Sequence, residues 1–305
     1  MKKVWIKLSA ILFSMMLVTV VVVGCGTETT DPEPTATTDE GLSILDPSIR
    51  LRVSTTTSLY DTGLWALLEP MFEEKYGVEV DVMSNGTGIA LEYGKRGDVD
   101  IVVVHSKSQE EAFIAGGFGT ERYVFASNYF VIVGPANDPL GLKGLSPEDA
   151  FKKLADAETS RFVSRGDNSG THSKEKAIWK AAGFDYETVR TSGSWYIDAS
   201  GGMGATLLKA KELDAYTLAD IGTFLAYKAD TGLSIAVDQG AILLNVYSAI
   251  PVNASNVPGV KNADAAIVMA DWLMSQEIQD IIGKYGVKDY GAPLFNPTYG
   301  IEPTS

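Results

Sequence analysis

The sequence predicts an α/β protein in which two lobes enclose a ligand cleft. Apolar strands alternate with segments whose apolar residues recur at helical spacing, which is typical of a parallel sheet covered by helices. The segment between Ile49 and about Pro297 is longer than most single domains and is long enough to form two. Three strands end in loops rich in hydroxyl groups and glycine, and open parallel sheets bind ligands beyond such strand ends.

The first strand is predicted over Arg50–Ser54, and a helix follows it. Asp61 or Thr62 can cap that helix and Gly77 can end it, because the apolar residues between them recur at helical spacing. In chain order, the remaining predictions are a strand over Val78–Met83, a helix from Thr87 to about Lys95, strands over Asp100–Val104 and Tyr129–Val133, a helix opening at Ser146-Pro147, a strand over Arg161–Ser164, a helix through Ala182, helices over Met203–Lys211 and Leu218–Tyr227, a strand over Ala241–Ile250, and helices over Ala263–Ser275 and Glu277–Tyr285.

These elements divide into two predicted lobes. Residues 49–128 together with 248–305 would form lobe I, and residues 129–247 would form lobe II. The chain would cross between the lobes at Tyr129–Val133 and again at Asn245–Ile250. A cleft that receives loops from both lobes is typical of binding proteins that close about a hinge.

The N-terminus predicts an export signal over residues 1–24. Lysines at the start precede the uncharged apolar run Leu8–Val23, which is somewhat short for a spanning helix of about 20 residues. Small residues then lead to Cys25, which is the single cysteine of the chain. This arrangement resembles a bacterial lipobox, in which cleavage precedes the cysteine and lipid is attached to it.

Residues 25–48 are expected to be a lipidated Cys25 followed by a disordered tether. The segment is rich in Thr, Pro, Asp and Glu and has almost nothing to bury. Several acyl chains would hold the mature protein at a bacterial membrane, facing the extracytoplasmic side, either in the periplasm or at the cell surface.

The charge of the chain limits its partners. The formal net charge is −14, and the loss of the signal lysines makes the mature chain more negative still. Such a surface repels nucleic acid, so that class of partner is not expected. It also repels anions at long range, and an anion site therefore needs strong local donors. Nothing in the sequence indicates an oligomer, and we expect a monomer.

Three loops combine features of anion sites. The first loop is Thr55–Ser58, the second is Ser84–Gly88, and the third is Arg165–Thr171. Each follows a predicted strand and opens a predicted helix, where free backbone N–H groups and the helix dipole favour negative charge. Only the third loop carries a strong cation, Arg165. The three loops together predict a pocket for one small, highly charged oxyanion.

The order and spacing of these loops resemble the tungstate-binding protein family. The resemblance runs from Leu51 to about Phe295 and is strong because many short segments recur together in order. The segments are Ser54–Asp61, Gly86-Thr87-Gly88, Gly97–Asp100 with Val103-Val104-His105, Phe130–Pro135, Ser164–His172, Gly202–Leu207, and Tyr216-Thr217-Leu218 with Gly222-Thr223.

The resemblance implies a function and a set of residues. It implies the type II periplasmic-binding-protein fold, with the ligand between the lobes, and a lipoprotein receptor that delivers tungstate to the permease of an ABC importer. No cofactor, no cation site and no catalytic residue are implied. The residues implied to hold the oxyanion are Thr56, Thr57, Ser58, Gly86, Thr87, Arg165, Ser169 and Thr171.

Other oxyanions remain alternatives on the residues alone. Tungstate is a dianion that needs only donors, whereas phosphate near neutral pH usually carries a proton and favours a site with one acceptor. Asp167 is the candidate acceptor, but we interpret it as a partner that orients Arg165. Phosphate and the similarly shaped molybdate are therefore the alternative ligands. Sulfate is smaller and would leave donors unpaired.

An enzyme is the rival class of function, and we do not expect one. Ser58 or Ser169 with His172 could form a hydrolase pair, but no Gly-x-Ser-x-Gly elbow surrounds either serine. No phosphate-binding Walker loop or dinucleotide fingerprint occurs. His105 and His172 lack further metal-type ligands at suitable spacing, so a zinc site is not expected and each is at most a supporting side chain.

Overall fold

The computed structural model describes residues 45–157 and 161–303. The predicted signal peptide, Cys25 and most of the predicted tether lie outside these residues. In the part of the chain that the structure describes, no helix is both long enough and apolar enough to cross a membrane.

The described residues alternate between strands and helices over most of the chain. The strands are β1 (Arg50–Thr56), β2 (Glu79–Asn85), β3 (Ile101–Val104), β4 (Tyr123–Gly134), β5 (Phe162–Ser164), β6 (Tyr196–Asp198), β7 (Tyr216–Asp220), β8 (Ser234–Val237), β9 (Leu244–Pro251) and β10 (Asn296–Pro297). The helices are α1 (Thr57–Tyr60), α2 (Leu64–Tyr76), α3 (Thr87–Arg96), α4 (Lys107–Ala115), α5 (Pro147–Ala157), α6 (Gly170–Ala181), α7 (Tyr186–Arg190), α8 (Met203–Glu212), α9 (Ile221–Thr231), α10 (Ala263–Met274), α11 (Gln276–Ile282) and α12 (Val287–Tyr290).

The strands form a mixed sheet in the order β2-β1-β3-β9-β4-β7-β5-β6, with β8 and β10 also paired to β4. Strand β1 is parallel to β2 and β3, and β5 is parallel to β6 and β7. Strands β4 and β9 are antiparallel to their neighbours. The predicted parallel pairing is therefore correct at both ends of the sheet and wrong in the middle.

Strand β4 passes from one half of the sheet to the other. Its residues from Tyr123 to Tyr129 pair with β9, and those from Phe130 to Gly134 pair with β7 and β8. We call β1, β2, β3, β10 and the start of β4 the first half. The second half comprises the end of β4 with β5 to β8. Strand β9 pairs with both β3 and the start of β4 and so lies beside the point where β4 passes between the two halves, which we call the junction.

Each half is buried on both faces of its sheet. In β4, Phe130 and Ile132 pack into one core with Phe151 and Trp179, while Val131 and Val133 pack into the opposite core with α8 and α9. This burial on both faces explains the uninterrupted apolar run, because a strand with one solvated face alternates instead. The first half has two further cores, one built around α2 and α10 and one around α3 and α4.

Several predicted bounds are wrong for local reasons. The helix predicted over Leu218–Tyr227 begins at Ile221, because residues up to Asp220 belong to β7 and the Asp220 carboxylate accepts the Thr223 N–H at 2.8 Å. The strand predicted over Ala241–Ile250 begins only at Leu244, after a turn of 3₁₀ helix at Ala241–Leu243.

Other differences concern helix ends and short elements. Gly63, in a left-handed conformation, stands at the start of α2 in place of Asp61 or Thr62, although the Thr62 hydroxyl accepts the Leu64 N–H at 3.3 Å. Helix α4 was not predicted from the sequence, since its polar and apolar residues follow no clear helical pattern. The predicted helices over Thr87–Lys95 and Ala263–Ser275 agree with α3 and α10 to within a residue.

Candidate functional site

The first loop joins β1 directly to α1. Thr56 ends the strand and begins the helix, and its hydroxyl oxygen accepts the Leu59 N–H at 3.2 Å. Thr56 and Ser58 are buried, while Thr57 is half-buried. The backbone N–H groups of the first helical turn have no acceptor within the helix, so this loop presents donors at a buried position.

The second loop joins β2 to α3. Gly86 precedes the helix and supplies no side chain to cap it, so the first N–H groups of α3 remain free of a side-chain cap. Thr87 is fully buried. Since β1 and β2 are parallel and Thr56 pairs with Asn85, the first and second loops lie side by side at the same sheet edge.

The third loop joins β5 to α6 through a tight turn. Gly166 has φ of +61°, and a Cβ atom there would overlap the Asp198 carboxylate, so the position favours glycine. Ser169 caps α6, and its hydroxyl oxygen accepts the His172 N–H at 3.2 Å. Arg165 therefore comes just before the turn in the chain, and the first N–H groups of α6 come just after it.

Arg165 is the buried cation of the site. Its side chain is almost fully buried, and its Nη2 donates to the Asp167 carboxylate and to the Thr57 hydroxyl, the latter at 3.3 Å. The other Asp167 oxygen accepts the Ser169 N–H at 3.1 Å. Both carboxylate oxygens are thus used within the loop, in agreement with the interpretation that Asp167 orients Arg165.

These contacts bring the three loops together. The Arg165–Thr57 hydrogen bond joins the third loop to the first. A Cβ atom on Gly86 would lie 3.6 Å from both Asp167 Oδ2 and Ser169 Cβ, so the second loop packs closely on the third. The structure therefore places all the predicted ligand residues in three mutually adjacent loops, two from the first half of the sheet and one from the second.

Some polar atoms of these loops are buried without a hydrogen-bond partner in the described part of the chain. They include the hydroxyls of Thr87 and Thr171 and the Nε of Arg165. A buried unpaired donor costs roughly 1–3 kcal/mol, and such groups are uncommon in folded proteins. All three atoms can donate a proton, so a ligand rich in acceptor atoms would satisfy them together.

The larger clefts lie beside these loops. One of about 620 Å³ is lined by His105, Lys174 and Glu302 among others. Another, of about 650 Å³, is lined by Gly88 and Asn168 together with residues of α3 and α4. Neither is lined by the buried donors described above.

His105 and Asn245 extend the site beyond the sequence prediction. Ser58 Oγ lies 2.8 Å from His105 Nε2, and His105 Nδ1 lies 2.9 Å from Asn245 Oδ1. Burial is the main reason that the pKa of His105 falls to about 4. His105 directly follows the predicted strand Asp100–Val104 and was expected to be at most a supporting side chain, but Asn245 lies far along the chain and only the pairing of β9 brings it close.

The histidine contacts bear on the hydrolase alternative. His172 Nδ1 accepts the Asn168 N–H at 2.9 Å and Nε2 contacts the Tyr186 hydroxyl, so neither ring nitrogen serves Ser169. Ser58, His105 and Asn245 do follow the order of a nucleophile, a base and an orienting group. A general base works best with a pKa near the operating pH, and the lowered pKa of His105 makes it a weak base.

Comparison with known proteins gives consistent matches. Residues 29–277 match the PBP superfamily domain. The chain is 42% identical to the tungstate-binding protein TupA of Peptoclostridium acidaminophilum, covering 95% of this chain and 98% of that one. The solved TupA structure from Desulfovibrio alaskensis G20 matches with a TM-score of 0.69 at 41% identity, over 82% of this chain and 99% of that one.

A second solved structure, described as the tungstate ABC transporter from Geobacter sulfurreducens, is 46% identical. It matches with a TM-score of 0.69 over 77% of this chain and 98% of that one. The matches span nearly the whole length of these relatives, and they agree with the mixed α/β architecture described above.

Proposed function

The chain belongs to the PBP superfamily and, within it, to the family of tungstate-binding proteins, and on that premise we propose that it binds tungstate outside the cytoplasm and delivers it to the permease of an ABC importer. The proposed ligand residues are Thr56, Thr57, Ser58, Gly86, Thr87, Arg165, Ser169 and Thr171.

The observation that carries this proposal is the set of buried donors without partners. The hydroxyl of Thr87 lies in the second loop, and the hydroxyl of Thr171 and the Nε of Arg165 lie in the adjacent third loop, close to the start of α3, whose first N–H groups have no side-chain cap. A tetrahedral dianion offers four acceptor oxygens and no proton, so each donor gains a partner. The guanidinium adds charge with planar, directional donors.

The use of Asp167 supports an unprotonated ligand over phosphate. Its two carboxylate oxygens already accept from Arg165 and from the Ser169 N–H. These bonds align the carboxylate on Arg165 and on the Ser169 N–H within the loop, and a protonated phosphate would bring its O–H against other donors. The same donors would suit molybdate, which resembles tungstate in shape and charge, so molybdate is expected to compete.

We further propose that the two halves of the sheet act as lobes that close on the ligand. The proposed lobes comprise residues 49–128 with 248–305, and residues 129–247. The first and second loops belong to one lobe and the third loop to the other, so closure would bring Arg165 onto a bound ion. Exclusion of water would strengthen each hydrogen bond, and opening at the permease would release the ion.

The location and state of the mature protein are part of the proposal. We propose that the chain is a monomer, exported and held at a bacterial membrane by lipid on Cys25. Metabolic labelling of producing cells with radioactive palmitate tests the anchor. Label on the wild-type protein that is lost in Cys25→Ala supports it, and unlabelled wild-type protein refutes it.

Calorimetric titration of ligand-stripped protein, starting after Cys25, tests the function. Tungstate, molybdate, phosphate and sulfate are titrated in turn. The proposal expects saturable one-to-one tungstate binding that molybdate competes for, and no heat from phosphate or sulfate. Tight phosphate binding would make the phosphate alternative correct, and no binding of any oxyanion would refute the receptor function.

A further inference from the structure

His105 lies where the first loop, the third loop and the junction of the sheet meet. It follows β3 and is buried, with Ser58 Oγ at 2.8 Å and Asn245 Oδ1 at 2.9 Å on its two ring nitrogens. Its ring stacks on Tyr247, with ring centres 4.9 Å apart. A Cβ atom on Gly170 would overlap the His105 ring, so the start of α6 packs directly against it.

A chain of side-chain hydrogen bonds fixes which His105 nitrogen carries the proton. It begins at the Leu294 carbonyl, which can only accept, with Asn128 Nδ2 at 3.4 Å. Asn128 therefore turns its oxygen to Asn245, whose Nδ2 donates to it at 2.9 Å. Asn245 in turn presents its own oxygen to His105 Nδ1. The Nδ1 atom must then hold the proton, and Nε2 must accept one.

His105 carries only this one proton. Burial is the main cause that lowers the pKa of His105 to about 4; the hydrogen bond to Asn245 and the charge of Asp167 raise it, and Arg165 and Lys174 lower it further. Nε2 is thus an acceptor near neutral pH, and Ser58 donates its single hydroxyl proton to it at 2.8 Å rather than to the more distant Thr56 hydroxyl at 3.3 Å. The Ser58 hydroxyl therefore has no proton left for a ligand.

The same chain reaches the strands that join the two halves of the sheet. Asn128 on β4 and Asn245 on β9 are paired across the sheet. They lie within two residues of the point where β4 leaves β9 and begins to pair with β7. The hydrogen bonds thus run without interruption from the first loop to the junction of the halves.

We infer that His105 is a positioning residue of the oxyanion site, which takes the Ser58 hydroxyl proton and holds the first loop against α6 and the two joining strands. The inference rests on the proposed function and adds to it. Ser58 then meets a bound oxyanion through its backbone N–H, while its hydroxyl serves only to fix the loop. His105 itself does not touch the ligand.

A double-mutant cycle tests this role by calorimetry with tungstate. His105→Phe keeps an aromatic ring but removes both nitrogens, and Ser58→Ala removes the hydroxyl. Both changes break the Ser58–His105 bond, and His105→Phe also leaves the Asn245 oxygen without its donor. We therefore expect Ser58→Ala to lose affinity roughly tenfold, His105→Phe to lose at least as much, and the double variant to lose no more than His105→Phe alone. The inference would be overturned if the loss of affinity in the double variant equalled the product of the two single losses. It would also be overturned if His105→Phe bound tungstate as tightly as wild type.

His105→Gln is the matched control because its side-chain oxygen can accept from Ser58 near the Nε2 position. Its affinity is expected within about threefold of wild type. Equal loss in the Gln and Phe variants would overturn the inference, because an acceptor placed near the Nε2 position would then restore no affinity. If wild type itself binds no tungstate, the proposed function fails; if only the cycle fails, the inference alone is refuted.

Histidine tautomers give a second test that needs no variant to fold. The sequence contains two histidines, and the structure gives them opposite tautomers. His105 should carry its proton on Nδ1, whereas His172 accepts the Asn168 N–H on Nδ1 and should carry its proton on Nε2. In a two-bond ¹H–¹⁵N correlation spectrum near neutral pH, one ring of each type is expected. Two rings of the His172 type would overturn the inference.

Discussion

Replacement of Thr87 by valine should change ligand affinity and unliganded stability in opposite directions. The Thr87 side chain is fully buried, and its hydroxyl has no hydrogen-bond partner in the described part of the chain. Valine keeps the shape and removes the hydroxyl. The unliganded protein thus loses a polar group that is costly to bury, while the complex loses a donor to a charged ligand.

The size of the effect follows from the hydrogen bond lost. A hydrogen bond to a charged group contributes about 1.5–3 kcal/mol, which corresponds to roughly a 10- to 150-fold rise in the tungstate Kd. The melting temperature of the unliganded protein should stay level or rise by about 2–4 °C for each kcal/mol of relieved burial cost. Calorimetry gives the affinity, and thermal unfolding of stripped protein gives the stability.

Thr217→Val is the matched control. Thr217 is equally buried, but its hydroxyl donates to the Val163 carbonyl at 2.7 Å and it lies outside the three loops. That variant should lose unliganded stability and keep its tungstate affinity. If Thr87→Val instead destabilised the unliganded protein and bound tungstate as tightly as wild type, the reasoning from the unpaired hydroxyl would be refuted.

The remaining predictions concern the third loop and the second half of the sheet. Arg165→Lys should weaken tungstate binding at least tenfold in calorimetry, because the planar fork that serves both Asp167 and the ligand is lost; unchanged affinity would remove Arg165 from its role. Gly166→Ala should lower both stability and affinity, since the left-handed backbone and the Asp198 carboxylate leave no room for a methyl group, and a variant that melts and binds like wild type contradicts this. Burial raises the pKa of Glu175 to about 7, so its contribution to stability is complete below about pH 4.5 and is lost as the pH rises through 7. Glu175→Gln should therefore flatten the fall in melting temperature over that range, and an unaltered pH profile would refute the assignment.

The sequence predicted the positions of the loops better than it predicted the sheet that carries them. Hydroxyl and glycine residues directly after apolar strands are a local signal, and Gly86 and Ser169 do stand at the starts of α3 and α6. The antiparallel course of β4 and β9 has no such signal. Both strands are buried on two faces, so their composition is the same for either direction.

The contact between His105 and Asn245 could not be predicted from the sequence for a similar reason. His105 and Asn245 meet because β9 pairs with β3 and β4 in a fixed register, and nothing in the local sequence encodes that register. The start of α9 was misplaced because Leu218 and its neighbours suit a helix by spacing, while burial within the sheet decided in favour of β7.

A crystal structure of the protein with tungstate, phased on the tungsten anomalous signal, tests the central claim most directly. The account predicts one strong anomalous peak enclosed by the three loops, within hydrogen-bonding reach of Thr87, Arg165 and Thr171 through the ligand oxygens. A peak in the cleft beside Lys174, or no ordered peak at tungstate concentrations that saturate the protein in solution, would contradict it.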